Sequence, residues 1–61
     1  MKDRYKITTD ERSGFFRGRY YVSTAYDKKK GRTVATVDDE TASRAREKLL
    51  DKIAEYEANS L

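Results

Sequence analysis

The residues whose types and spacing are best suited to chemistry are two arginines and a tyrosine at alternate positions, Arg17, Arg19 and Tyr21. Alternate residues of a β-strand project from the same face of a sheet. Arginine presents a planar fork of donors that matches phosphate oxygens and the guanine edge, and exposed tyrosine rings pack against sugars and bases. The spacing therefore predicts a strip that binds a polyanion.

Catalytic and metal chemistry is poorly represented in the sequence. There are no histidines or cysteines, and neither a glycine-rich phosphate loop nor a G-x-S-x-G elbow occurs. A chain of 61 residues buries one thin core, with no room for a deep pocket that would shield a reacting centre from water. We expect no enzyme activity, no cofactor, no metal and no small-molecule substrate.

Charge is segregated along the chain. The net charge is +3, but residues 1–36 carry +6 and residues 37–61 carry −3. This asymmetry predicts that a polyanion meets the first half. No signal-peptide pattern occurs, and no stretch approaches the roughly 20 apolar residues of a membrane span. We therefore expect a cytoplasmic protein with no membrane partner, associated with the nucleoid if it binds DNA.

Three strands and a helix are needed to position these residues. The segments Asp10–Gly14 and Asp27–Gly31 end in glycine and are predicted turns, the second capped by the aspartate side chain. From Asp38 the apolar residues recur at steps of three and four, which predicts an amphipathic helix. Asp38 is the expected N-cap and Thr41 its competitor. The predicted strands span about 4–9, 15–26 and 32–37, and the helix about 39–57.

The expected fold is a single α+β domain over residues 1–61, an antiparallel three-stranded sheet in β-β-β-α order with the helix on one face. Hydrophobicity assigns to the core side of the sheet Tyr5, Ile7, Phe16, Tyr20, Val22, Thr24, Tyr26, Thr33, Ala35 and Val37. Val34 then falls on the outer face. The predicted nucleic-acid contacts, on that outer face and its lysine turn, are Arg4, Lys6, Arg17, Arg19, Tyr21, Ser23, Lys28, Lys29, Lys30, Arg32 and Thr36.

A family resemblance accompanies this pattern. The run RGRYYVSTAYDKKKGRTVATVDDETASRAREKLLDKI resembles the N-terminal arm-binding domains of phage and transposon tyrosine integrases, and is similar to the AP2-type DNA-binding modules. Its parts are a strand of aromatic and basic residues, a D-x-x-G-like turn, a third strand, and a short acidic cap before an alanine-containing helix. The resemblance covers about residues 15–54 and implies duplex DNA bound by the sheet.

The expected function is a nucleic-acid-binding module that reads duplex DNA in the major groove as a monomer. Arg17, Arg19 and Arg32 would reach base edges, and the lysines would contact the backbone. Three alternatives stay open. The same surface suits an acidic protein, as in a phage-type module that binds a host factor. Phe15 and Tyr21 together would stack on single-stranded RNA. Phe15 and the outer face would also serve a dimer contact.

Overall fold

A computed structural model of the chain describes residues 4–59. The elements in chain order are β1 (Tyr5–Gly14), β2 (Gly18–Asp27), β3 (Arg32–Asp39) and α1 (Ala42–Asn59). The strands form an antiparallel sheet in the order β1-β2-β3, and α1 packs on one of its faces. The expected α+β fold in β-β-β-α order is confirmed.

The β1–β2 hairpin is longer than the sequence predicts. The segment Asp10–Gly14, expected as a loop, continues β1 and pairs with β2 as far as Gly18. The turn is Phe15–Arg17, which was expected to open the central strand. Gly18 has a φ of 81°, as in hairpins that close a three-residue loop with a left-handed residue. The distal part of β1 is polar because both of its faces meet water, so its strand signal is weak.

The helix begins later than the sequence predicts. Thr41 Oγ1 accepts a hydrogen bond from the backbone N–H of Arg44 at 3.2 Å, so Thr41 is the N-cap and the choice of Asp38 is wrong. Asp38 instead lies in β3, opposite Val22. The residues of α1 buried against the sheet are Ala45, Leu49 and Ile53. The apolar spacing thus identified the buried side of α1, whereas the acidic residues before α1 did not mark where it begins.

The helix covers the side of the sheet that the sequence assigned to the exterior of β2. Ser23 and Ala25 are fully buried, and Ala25 packs in one cluster with Tyr5, Leu49 and Ile53. Residues paired across antiparallel strands project to the same side, and Ala25 pairs with Ile7 on one strand and Ala35 on the other. We call this side the helix face. The expected inward positions of Tyr5, Ile7, Ala35 and Val37 are confirmed.

The inward assignment of Tyr20 and Val22 is wrong, and so is that of Phe16, which lies in the turn and is 95% exposed. Close approach of the helix explains the reversal. Small side chains at Ser23 and Ala25 let the backbone of α1 approach β2. The larger side chains of the core come from α1, through Leu49, and from the two neighbouring strands, β1 and β3. Hydropathy does not select a strand face made of small residues as the core, although here that face is buried.

An irregularity in the β2–β3 ladder resolves the position of Val34. The register shifts between Ala25 and Tyr26, so that Ala25 pairs with Ala35 but Tyr26 pairs with Thr33. Val34 is the extra residue of this bulge, and it packs against the core. The expected outward position of Val34 is therefore wrong. Thr33, expected inward, is exposed.

The one helix that residues 4–59 contain, α1, lacks the apolar sequence that a membrane crossing needs.

Candidate nucleic-acid interface

The side of the sheet opposite α1 is covered by no other element of residues 4–59. We call it the open face. Its central row is on β2, where Thr24 pairs with Thr8 and with Thr36. By the same pairing, the residues that project from the open face are Lys6, Thr8, Asp10, Arg12, Tyr20, Val22, Thr24, Tyr26, Thr33, Thr36 and Asp38. Three strands about 4.8 Å apart give a strip roughly 10 Å wide between the outer strand axes.

The turn that joins β2 to β3 carries three consecutive lysines and is fixed by Asp27. One carboxylate oxygen of Asp27 accepts the backbone N–H groups of Lys29 and Lys30 at 2.9 and 3.3 Å. The backbone N–H of Gly31 donates to the Asp27 carbonyl at 2.7 Å, and Gly31 has a φ of 72°. The backbone of the lysine turn is thus held in place while its three side chains extend into solvent.

Asp27 is itself fully buried and receives two further side chains. Arg4 donates to both carboxylate oxygens, from Nε at 3.1 Å and Nη2 at 2.9 Å. The Tyr56 hydroxyl donates at 3.0 Å. The Arg4 hydrogen bonds hold the pKa of Asp27 well below its ordinary range, and they outweigh burial, which acts in the opposite direction. Arg4 was predicted to contact nucleic acid, but its guanidinium is committed to this buried carboxylate.

Tyr26 and Lys6 lie beside the lysine turn on the open face. They pair directly across β1 and β2, and the ring of Tyr26 is 40% exposed. A Cβ atom added to Gly31 would lie 4.0 Å from the Tyr26 hydroxyl, which places that ring against the turn. We call the group formed here the cationic end; its members are Lys6, Tyr26, Lys28, Lys29 and Lys30. Within residues 4–59, none of its four cations forms an ion pair.

The opposite end of the open face is balanced in charge. The guanidinium of Arg17 lies over the ring of Tyr20, 4.1 Å from its centroid. It also donates to Asp38 at 3.0 Å and approaches Glu40 at 3.9 Å. The hydrogen bond from Arg17 lowers the pKa of Asp38. Arg17 therefore lies on the open face as expected, but its charge is already matched by two carboxylates.

Four of the predicted contacts lie on the helix face, and Arg32 is one of them, because it pairs with the buried Asp27. Ser23 is fully buried and shares a 2.9 Å hydrogen bond with the Thr9 hydroxyl, so it cannot reach a ligand. Tyr21 is half-buried and pairs with Asp39 and Glu11. Arg19 is exposed and forms an ion pair with Glu11 at 2.7 Å. The proposed stacking of RNA on Phe15 and Tyr21 together loses its geometric basis, because Tyr21 is not on the open face.

Of the remaining predicted contacts, Lys6 and Thr36 lie on the open face, and Lys28, Lys29 and Lys30 lie in the turn at its cationic end. Sequence reasoning missed Tyr26 and Thr24, which it assigned to the core side of β2. A signal for the correct side was present, because Ala25, Ala35 and Ala45 are the small residues that a closely packed helix requires.

No cluster of three acidic side chains in the described range 4–59 is placed to hold a metal ion. The chain matches no protein family, no curated protein and no solved structure with which it was compared. Its β-β-β-α order is compatible in topology with the arm-binding domains of tyrosine integrases.

Proposed function

We propose that this protein binds duplex DNA with its open face, and that the cationic end holds the phosphate backbone. The observation that carries the proposal is the grouping of four cations, none of which forms an ion pair within residues 4–59, at one end of an uncovered sheet face. Of the other arginines of the sheet and its first turn, Arg17 and Arg19 are matched by carboxylates, and Arg12 is a single cation at the other end of the open face. Cations left without acidic partners on a small domain are the electrostatic footprint of a polyanion site.

The shape of the open face favours a duplex. A strip of three strands fits the major groove of B-DNA, which is about 12 Å wide and admits β-ribbons. Thr8, Thr24 and Thr36 form a row of hydroxyls across the middle of the strip, and hydroxyl groups hydrogen-bond both phosphates and base edges. Lys28, Lys29 and Lys30 would lie over the groove wall. The topological likeness to integrase arm-binding domains supports the same ligand.

A titration at several salt concentrations tests the proposal. Four phosphate contacts give a log–log slope of affinity against salt of about −4. Replacing Lys28, Lys29 and Lys30 with glutamine should weaken binding to every sequence alike and reduce the magnitude of the slope by about 3. Fluorescence anisotropy of a labelled duplex gives both quantities.

A matched control removes the same charge from the other side of the molecule. The exposed cations Arg44, Arg46 and Lys52 lie on α1, and their replacement with glutamine should leave the slope nearly unchanged. The proposal fails if the wild-type affinity is weaker than about 100 μM at about 50 mM salt. It also fails if the two triple variants lose affinity equally, because the binding would then follow net charge and not the open face.

A further inference from the structure

Two phenylalanine side chains are exposed to solvent at the tip of the β1–β2 hairpin. Phe15 is 94% and Phe16 95% exposed, and their rings meet edge to face with centroids 4.6 Å apart. Small soluble domains seldom expose adjacent aromatic rings at a protruding tip, because each ring loses the free energy that burial would provide. The two exposed rings therefore form an apolar surface suited to contact with a ligand.

The turn that carries these rings is braced from the open face. Arg17, the third residue of the turn, stacks on Tyr20 and forms its ion pair with Asp38 on β3. Gly14 leaves room for this packing, since a Cβ atom there would lie 3.1 Å from the Arg17 Cβ and 3.6 Å from the Tyr20 ring. The phenylalanines are thus held at a fixed place at the end of the open face, and rigid presentation of an apolar group lowers the entropy lost on binding.

We propose that Phe15 and Phe16 form a wedge that enters a base step of the DNA lying on the open face and bends the duplex. The inference rests on the proposed function, because the wedge continues the same surface beyond Tyr20 and Arg17. Phenylalanine is among the apolar side chains that proteins insert between base pairs. The edge-to-face geometry lets one ring stack in the step while the other packs at its side.

The wedge makes the deformability of the DNA a determinant of affinity. Pyrimidine–purine steps such as TA unstack readily, whereas A-tracts are stiff. The protein should bind a duplex with a central TA step about tenfold more tightly than an A-tract duplex of equal length. Energy transfer between dyes at the two ends of a duplex of about 20 base pairs should report a bend on the order of 40°.

The test uses the full chain and a change confined to the tip. Phe15→Ala with Phe16→Ala should abolish the bend and the preference for the TA duplex, while the salt slope stays that of the wild type, because the lysine contacts persist. Leu50→Ala is the control, since Leu50 is an apolar side chain on α1 with 47% exposure, and it should retain both effects. Equal bending by the wild type and the double alanine variant would overturn the wedge and leave the proposed function standing.

A fluorescent reporter separates DNA from a membrane as the ligand of the tip. The chain has no tryptophan, so Phe16→Trp introduces a single indole. Stacking in a base step should quench its emission on addition of the TA duplex and protect it from iodide. An indole that stays accessible to iodide in the DNA complex contradicts the proposal. A blue shift with phosphatidylglycerol vesicles, with no quenching by the duplex, would assign the tip to a membrane and also overturn it.

Discussion

At the scale of single residues, Asp27 has the largest structural role. Its carboxylate is buried and accepts hydrogen bonds from Arg4, Tyr56 and the lysine turn, so it joins the first residues of the described chain, the second turn and the helix. The sequence allowed its role as a turn cap to be predicted. Its partners could not be, because Arg4 and Tyr56 lie 23 and 29 residues away and no local pattern links them.

Replacing Asp27 with asparagine should destabilise the protein strongly, because the Arg4 guanidinium would lose its charged partner. We expect the melting temperature to fall by roughly 10 °C or more, as measured by circular dichroism. Asp38→Asn is the matched control. Its ion pair with Arg17 is exposed, and such pairs add little to stability, so the melting temperature should barely change. Equal effects of the two substitutions would contradict the role assigned to Asp27.

Tyr5 should make the stability depend on pH in the alkaline range. Burial and, after it, the hydrogen bond to Glu57 raise the pKa of Tyr5 to about 12. Since the ordinary value is about 10, the folded state holds the phenolic proton more tightly than the unfolded state. The contribution is complete below pH about 10 and is lost as the pH rises to about 12. Urea midpoints should therefore fall more steeply over this range for the wild type than for Tyr5→Phe; parallel curves would contradict the assignment.

At the scale of elements, the beginning of α1 depends on one hydroxyl. Thr41→Ala removes the acceptor for the Arg44 N–H and should cost about 1 kcal/mol, whereas Thr41→Ser should retain most of the stability. Urea unfolding followed by circular dichroism measures both. The sequence offered Asp38 and Thr41 as caps, and local propensity could not choose between them because β3 extends to Asp39. If Asp38→Ala cost more than Thr41→Ala, the assigned cap would be wrong.

The strands illustrate which part of the fold sequence patterns can predict. Aromatic and β-branched residues located β2 and β3. Successive side chains of β2 project to opposite sides of the sheet, and hydropathy selected Tyr20 and Val22 over Ser23 and Ala25 for the core. The true choice depends on how closely α1 approaches, which is a tertiary property. The candidate site differs accordingly from the predicted one, because Ser23 and Tyr21 lie on the helix face and Tyr26 lies on the open face.

At the scale of the whole molecule, the core is small and rests on few side chains. Leu49 is the largest fully buried apolar side chain and contacts the sheet from the middle of α1. Leu49→Ala should cost about 3 kcal/mol, out of a total stability of roughly 3–9 kcal/mol for a chain of this length. The urea midpoint of the variant should therefore fall by at least about a third. Leu50→Ala, at an exposed neighbouring position, should cost less than about 1 kcal/mol. Similar losses of stability in the two variants would contradict the assignment of Leu49 to the buried side of α1.

The whole molecule is elongated, with principal extents of 39 × 18 × 16 Å. The cationic end and the phenylalanine tip lie at opposite ends of the open face, since β2 runs from Gly18 beside the tip to Asp27 at the lysine turn. A ligand that lies along β2 would meet both. The proposed wedge requires this separation of an electrostatic contact from an apolar one.

The most direct test of DNA binding by the open face is amide chemical-shift mapping with a duplex. We expect the largest shifts at Lys6, Thr24, Tyr26 and Thr36 and in the lysine turn, with small shifts along α1. Ser23 and Tyr21, on the helix face, serve as internal controls within the same strand. Shifts concentrated on α1 would contradict the account. So would the absence of shifts at low salt with the duplex in excess.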